Sequence, residues 1–323
     1  MVGTLTQLSI IIKNQNNPMS MIIIQHDDCL RHDPGPKHPE STRRVEAVLS
    51  GLEDLKGLQK LPAPLATTQQ ILRVHPAEFW AGITSQEPSK GISAIDADTF
   101  LSNGSIDAAL RASGGLCYAI DQLLAGKALK AFCAVRPPGH HSEPETAMGF
   151  CLLNHVAIGA RHALENPMIN RVAIVDFDVH HGNGTQAVFE HDPDVLFVSS
   201  HQMPLYPGTG QADETGCGNI LNLPLAPGDG SKAFRNTWRK YGLPAVHSFE
   251  PDLILISAGF DAHQRDPLGQ IELQDADYHW ITDQICDLAI DSCQGRVASI
   301  LEGGYDLQAL ATASRAHVQA LSC

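Results

Sequence analysis

Residues 176–181, DFDVHH, hold two aspartates and two histidines within six positions, and Gly182-Asn183-Gly184 follows them. Side chains two apart on an extended backbone fall on the same side, so a carboxylate and an imidazole at that spacing converge on one cation. A divalent metal is the first chemistry suggested, with Asp176, Asp178, His180 and His181 all candidate ligands. Any one of them alone could equally cap a helix or satisfy a buried hydrogen bond. Four together behind an apolar run need more, because buried charge is costly unless a metal or counter-charge meets it. A second cluster, His140 and His141, follows Arg136-Pro137-Pro138-Gly139. Two prolines and a glycine lock that loop, which suits general acid–base groups or ligands; the plainer alternative is a surface turn with incidental histidines. Asp261, in SAGFDAH, could complete a metal set, and EGGYD sets Tyr305 beside two glycines.

These residues all follow short apolar, β-branched runs, the pattern of buried strands. Strands are expected at 21–25, 131–135, 171–175, 195–199, 220–223, 252–257 and 297–301. Helices are expected at 105–125, 152–164, 182–190, 232–247, 275–293 and 307–321, with another from a Ser41 cap to about residue 55. On that one Val45, Val48, Leu49 and Leu52 share a face; Arg43 or Arg44 could point inward, although by default either is a solvated charge. Residues 62–103 read as short helices and loops, with Asp96 and Asp98 in a turn. Strands alternate with helices and no linker or repeat divides the chain. The economical fold is therefore one open, mostly parallel, doubly wound α/β sheet flanked by helices, occupying residues 21–323. Ligands of such sheets bind at the carboxyl ends of the strands, where these loops lie. Residues 1–20 are expected to be an N-terminal tail, with Met21 as an alternative start.

With 22 basic and 36 acidic residues the net charge is −14, which argues against nucleic acid as a partner and favours neutral or cationic ligands. The 43% hydrophobic content supports a sizeable core. Eight scattered cysteines without a CxxC pair read as reduced core residues of a cytoplasmic protein. No apolar run is long enough to span a membrane, and the opening residues lack the basic and small-residue marks of a secretory signal.

Taken in order, RPPGHHSEPETAMGFCLLN, VDFDVHHGNGTQ, SAGFDAHQRDPLG and LEGGYD resemble the histone deacetylase family. The PPGHHSE and HHGNG forms are similar to its class II and bacterial histone deacetylase-like amidohydrolase branch. The resemblance runs from about residue 21 to 320. It implies an arginase/deacetylase-type fold and hydrolysis of an N-acetyl-lysine amide, or a related N-acyl amine, by metal-activated water. It further implies that Asp178, His180 and Asp261 bind one Zn²⁺. His141 would be the general base, His140, paired with Asp176, the neighbouring electrostatic or acid group, and Tyr305 the donor to the tetrahedral oxyanion. His181 would then be structural. Gly149 and Phe150 would line one wall of a narrow tunnel and Tyr206 the other, with Asp98 holding substrate at the rim and Asp96 its neighbouring alternative. Carbonyls around Asp176, Asp178 and His180, with Ser199, would hold K⁺. The implied partners are an acetylated lysine peptide or protein, or an acetylated polyamine; a homo-oligomer is compatible with the sequence.

One departure matters: where class I members of that family carry an Asp behind the second histidine, this chain has Asn183, so His141 is easier to keep neutral. A two-manganese ureohydrolase is the nearest enzymatic rival. DVHHG in place of DxHxD, and Ala262-His263 after Asp261, leave too few carboxylates for a second metal. A non-catalytic acyl-lysine binder is disfavoured because the histidine pair, Tyr305 and all three implied ligands are present.

Overall fold

The structure, a computed structural model, describes residues 19–323. The expected tail lies outside them except for its last two residues, which already belong to a strand. Among the described residues ten strands follow one another: β1 (Met19–Gln25), β2 (Gln59–Pro62), β3 (Ile92–Ala94), β4 (Phe100–Ser102), β5 (Ala128–Cys133), β6 (Val172–Asp176), β7 (Val195–Gln202), β8 (Ile220–Leu225), β9 (Leu253–Ala258) and β10 (Val297–Leu301). Eight of them form one sheet in the order β2-β1-β5-β10-β9-β6-β7-β8, and β3 and β4 form a separate antiparallel hairpin. Every ladder in the large sheet is parallel. This is the α/β architecture expected, without an antiparallel strand in its main sheet.

Parallel strands covered on both faces should be apolar throughout, and β6 shows how the two half-cores divide. Val172 and Ile174 pack into one cluster, with Leu116 and Ile120 of the helix Ser105–Leu124. Ala173 and Val175 pack into the other, with Ile281 and Ile285 of the helix Asp275–Cys293 and Leu310 and Val318 of the helix Leu307–Leu321. Among the described residues no helix is long and apolar enough to cross a membrane.

Three local expectations are corrected. The helix Arg43–Gly51 starts from Thr42, without a side-chain cap, rather than from Ser41. Arg44, by default a solvated charge but one of the two arginines that could point inward, is wholly buried. The expected helix 232–247 is two helices, Ser231–Thr237 and Leu243–Phe249, joined by a π turn, Trp238–Gly242. Pro244 has no N–H to give to Lys240, so the regular ladder fails there, and the wider turn lets Trp238 bury its ring and donate Nε1–H to Ser200 Oγ at 3.0 Å. Six of the eight cysteines are buried as expected; Cys217 and Cys323 are exposed.

Candidate active site

The four central strands β5, β10, β9 and β6 are neighbours, although they are far from consecutive in the chain. Their carboxyl-end loops therefore meet. The loop after β5 brings His140 and His141, that after β10 brings Tyr305, β9 leads to Asp261, and β6 ends at Asp176 and runs into Asp178 and His180. The loop after β7 adds Tyr206. Asp98, His141, Gly149, Phe150, His180, Leu205, Tyr206, Leu268 and Tyr305 line one cavity of about 260 Å³.

Asp178, His180 and Asp261 are buried, and one ligand atom from each lies within 4.8 Å of the others. His180 Nδ1 is 3.1 Å from both Asp178 Oδ1 and Asp261 Oδ2. A single imidazole nitrogen facing two buried carboxylates is a donor set that could hold a metal. Burial would depress the His180 pKa, but hydrogen bonds to the two carboxylates lift it to about 10. Burial and the Asp178 charge push Asp261 up to about 7, whereas the cationic neighbours His140 and His180 overcome burial and hold Asp178 low. Gly303 is required here, since its N–H donates to Asp178 Oδ2 at 2.8 Å and a Cβ in its place would meet Asp261 Oδ2 at 2.0 Å.

The two histidines are placed differently. His140 Nδ1 lies 2.9 Å from Asp176 Oδ2; burial opposes its charge, yet Asp178 and Asp176 raise its pKa to about 10. His141 Nδ1 lies 2.8 Å from Asn183 Oδ1, and burial together with the charges of His140 and His180 sets its pKa well below the usual value. His140 is thus favoured as an imidazolium and His141 as a neutral imidazole. Desolvation raises the Tyr305 phenol well above its usual range, with Arg44 only partly opposing, so it stays protonated.

Several supporting groups were not legible in the sequence. Arg44 Nε donates to Gly304 O at 2.7 Å, Nη2 to Glu302 O and Nη1 to Glu40 Oε1 at 3.0 Å, and its guanidinium lies 4.8 Å from the Tyr305 ring centre. Arg136, also buried, donates to Glu40 through Nε at 2.8 Å and Nη2 at 2.5 Å. Burial would raise Glu40, but the two guanidiniums push it down to about 2. Glu302 Oε2 accepts N–H bonds from Gly139 (2.6 Å) and His140 (3.2 Å), tying the histidine loop to the tyrosine loop. Asp266 Oδ2 accepts the Tyr305 N–H at 2.6 Å. The one signal available was that charged residues beside buried loops need partners.

At the cavity mouth Phe150 sits at φ +68°, a left-handed conformation uncommon outside glycine. Its N–H donates to Thr99 Oγ1 at 3.2 Å, and His38 packs edge-on at 4.6 Å between ring centres. Asp98 is half-buried; burial and the neighbouring Asp96 raise its pKa. Asp96 Oδ1 accepts from the N–H groups of Asp98 (3.0 Å) and Thr99 (2.6 Å), so it shapes the turn while Asp98 lines the cavity. His181 lies apart from the metal group, between Thr209 Oγ1 (2.8 Å) and Gln186 Oε1 (2.9 Å), pinning the loop that carries Tyr206. Ser199 is buried beside Asp176 in the β6–β7 ladder.

Comparison with known proteins agrees with this fold. The model of the histone deacetylase domain matches residues 38–321, and the chain belongs to the histone deacetylase family. It is 37% identical over 295 residues to the "Probable deacetylase" of Archaeoglobus fulgidus, covering 88% of this chain and 81% of that protein. It is also 37% identical over 272 residues to the "Histone deacetylase-like amidohydrolase" of Pseudomonas aeruginosa, covering 83% and 71%. The crystal structure of the HDA15 HD domain superposes with a TM-score of 0.89 at 34% identity, covering 94% of this chain and 88% of that one.

Proposed function

We propose that the protein is a Zn²⁺-dependent deacylase that hydrolyses the amide of N-acetyl-lysine or a related N-acyl amine. The observation that carries this reading is that the buried Asp178–His180–Asp261 group meets, through His180, a cavity with apolar walls that His141 and Tyr305 also line, with His140 packed against His141. The 3.1 Å separations between His180 Nδ1 and the two carboxylate oxygens match two edges of a ligand tetrahedron. With bonds of about 2 Å, such a tetrahedron has edges of about 3.3 Å. Zn²⁺ held there supplies Lewis acidity toward the acyl carbonyl and the attacking water.

The chain's own residues supply the rest. His141 donates Nδ1–H to Asn183, which leaves Nε2 free to take a proton from the water. His140, kept cationic by Asp176, stabilises negative charge and is the acid for the departing amine. Tyr305, protonated, donates to the oxygen on which charge develops, an interaction stronger in the transition state than in the ground state. Phe150, Leu205, Tyr206 and Leu268 enclose an uncharged methylene stem, with Gly149 allowing close approach and Asp98 accepting N–H groups at the rim. The rim favours acetyl-lysine within a peptide, whose backbone N–H groups Asp98 can accept, over an acetylpolyamine, which has no backbone amides there. Backbone carbonyls around Asp176, Asp178 and His180 with Ser199 are the proposed K⁺ ligands.

The test is a rate comparison of acetyl-lysine peptides, longer acyl-lysines and acetylated polyamines, with and without chelator. Chelator-sensitive turnover, fastest on acetyl-lysine peptides, is expected. Acetylpolyamine as the best substrate would overturn the ranking, and urea release with two manganese ions per chain would overturn the deacylase reading.

A further inference from the structure

We propose that Glu143 is a positioning residue that fixes the amide of Asn183 and, through it, the tautomer of His141; the inference rests on the deacylase reading above. Asn183 has two ways of facing His141, and only one leaves the base usable. With Oδ1 toward His141, the imidazole must carry its hydrogen on Nδ1, so its Nε2 lone pair is free. With the amide turned over, Nδ2 would donate to Nδ1, and the neutral ring would carry its hydrogen on Nε2, where it cannot accept a proton.

The surroundings of Asn183 choose between these. Nδ2 is met by Glu143 Oε1 at 2.8 Å, by the His141 carbonyl at 3.4 Å and by Met148 Sδ at 3.4 Å, all acceptors, while Oδ1 faces His141 Nδ1 at 2.8 Å. Turning the amide over would set its oxygen against a carboxylate oxygen and forfeit the charge-assisted bond. Of the three, only Glu143 is charged, so it carries most of the preference. It is also held in place independently of the bond it makes, because residues 143–146 close a tight turn through Glu143 N–H to Thr146 O (2.9 Å) and Thr146 N–H to Glu143 O (3.4 Å). The half-exposed side chain can therefore be exchanged without emptying the core. Asn183 leaves His141 without an anion beside it, and Glu143 supplies the orientation one residue further out.

The test uses the zinc-loaded full chain and an acetyl-lysine reporter. Glu143→Met should lower kcat by about tenfold at unchanged KM, the weight of one charge-assisted hydrogen bond. Glu143→Gln, which keeps an acceptor, should restore kcat to within about threefold of the parent. In an Asn183→Asp background, where a carboxylate faces Nδ1 whichever way it turns, Glu143→Met should lower kcat no further. Long-range ¹H–¹⁵N correlation, with the His141 signals assigned by their loss in His141→Gln, should show the Nδ1–H tautomer in the parent and a mixture in Glu143→Met. Unchanged kcat, or an unchanged tautomer, in Glu143→Met overturns the inference and leaves the deacylase reading standing. If the parent itself has no activity, that reading falls, and the nitrogen spectra still decide whether Glu143 sets the tautomer.

Discussion

Gly303 is the position where a single methyl group should separate metal binding from folding. It follows β10, and an alanine Cβ there would lie 2.0 Å from Asp261 Oδ2 and 2.6 Å from Asp178 Oδ2. Carbon and oxygen not bonded to each other settle at about 3.3 Å, so the two carboxylates would have to retreat by about 1.3 and 0.7 Å. Metal–ligand distances tolerate about 0.2 Å, so both shifts exceed the tolerance severalfold. Losing an outer partner of a metal ligand already costs 10- to 100-fold in affinity, so Gly303→Ala should weaken Zn²⁺ by about 100-fold or more. The assay is competition of the apoprotein against a fluorescent zinc chelator, with circular dichroism and Tm to follow the fold. Gly82→Ala serves as control, because Gly82 is in the helix Ala77–Ser85 and its Cβ would meet nothing within 4 Å. It should leave zinc affinity unchanged. Parental zinc affinity in Gly303→Ala would refute the assignment of Asp178 and Asp261 as ligands.

Tyr305→Phe should keep zinc binding and lose about 10²- to 10³-fold in kcat on an acetyl-lysine reporter; unchanged turnover would remove the phenol from the mechanism. Arg136→Met deprives buried Glu40 of its bidentate partner and should cost about 3 kcal/mol in denaturant unfolding, Arg44 still pairing the carboxylate. Adding Glu40→Gln should lower stability further, because buried Arg44 then has no counter-charge. Buried His32 and His75 have pKa values lowered to about 4, and His155 and His317 to about 3, with burial the first cause of each. Each folded value lies below the unfolded one of about 6.5, so this stability is complete above that pH and is lost as pH falls toward the folded values. The loss approaches about 1.4 kcal/mol per histidine per pH unit. A Tm that stays level from pH 7 to 5 would contradict it.

The strands that carry the site were legible to within a few residues because they are continuous apolar runs ending in polar loops. β10 lies at residues 297–301 as expected, and the helices Asp275–Cys293 and Leu307–Leu321 match their expected spans. β2 was not legible: it is an edge strand, mostly exposed, with no alternation to betray it. The π turn depended on how Trp238 packs, which periodicity does not report.

For the site, the sequence by itself determined the candidate reactive groups. Asp176 ends a strand, and Asp178, His180, His140, His141, Asp261 and Tyr305 stand in loops just after strands, because that is where a parallel sheet leaves polar residues free of the core. Tertiary structure decided what those groups can do. The sheet order makes neighbours of β5, β10, β9 and β6, so groups as far apart in the chain as His141 and Tyr305 line one cavity. It also decided that Arg44 is the arginine that turns inward as a buried clamp on the Tyr305 loop, and it gave Glu302 and Glu143 their partners. The physical reason is that a carboxylate's or guanidinium's role is set by its desolvation and by the donors and acceptors around it. Those neighbours come from distant parts of the chain, where local periodicity carries no information about them.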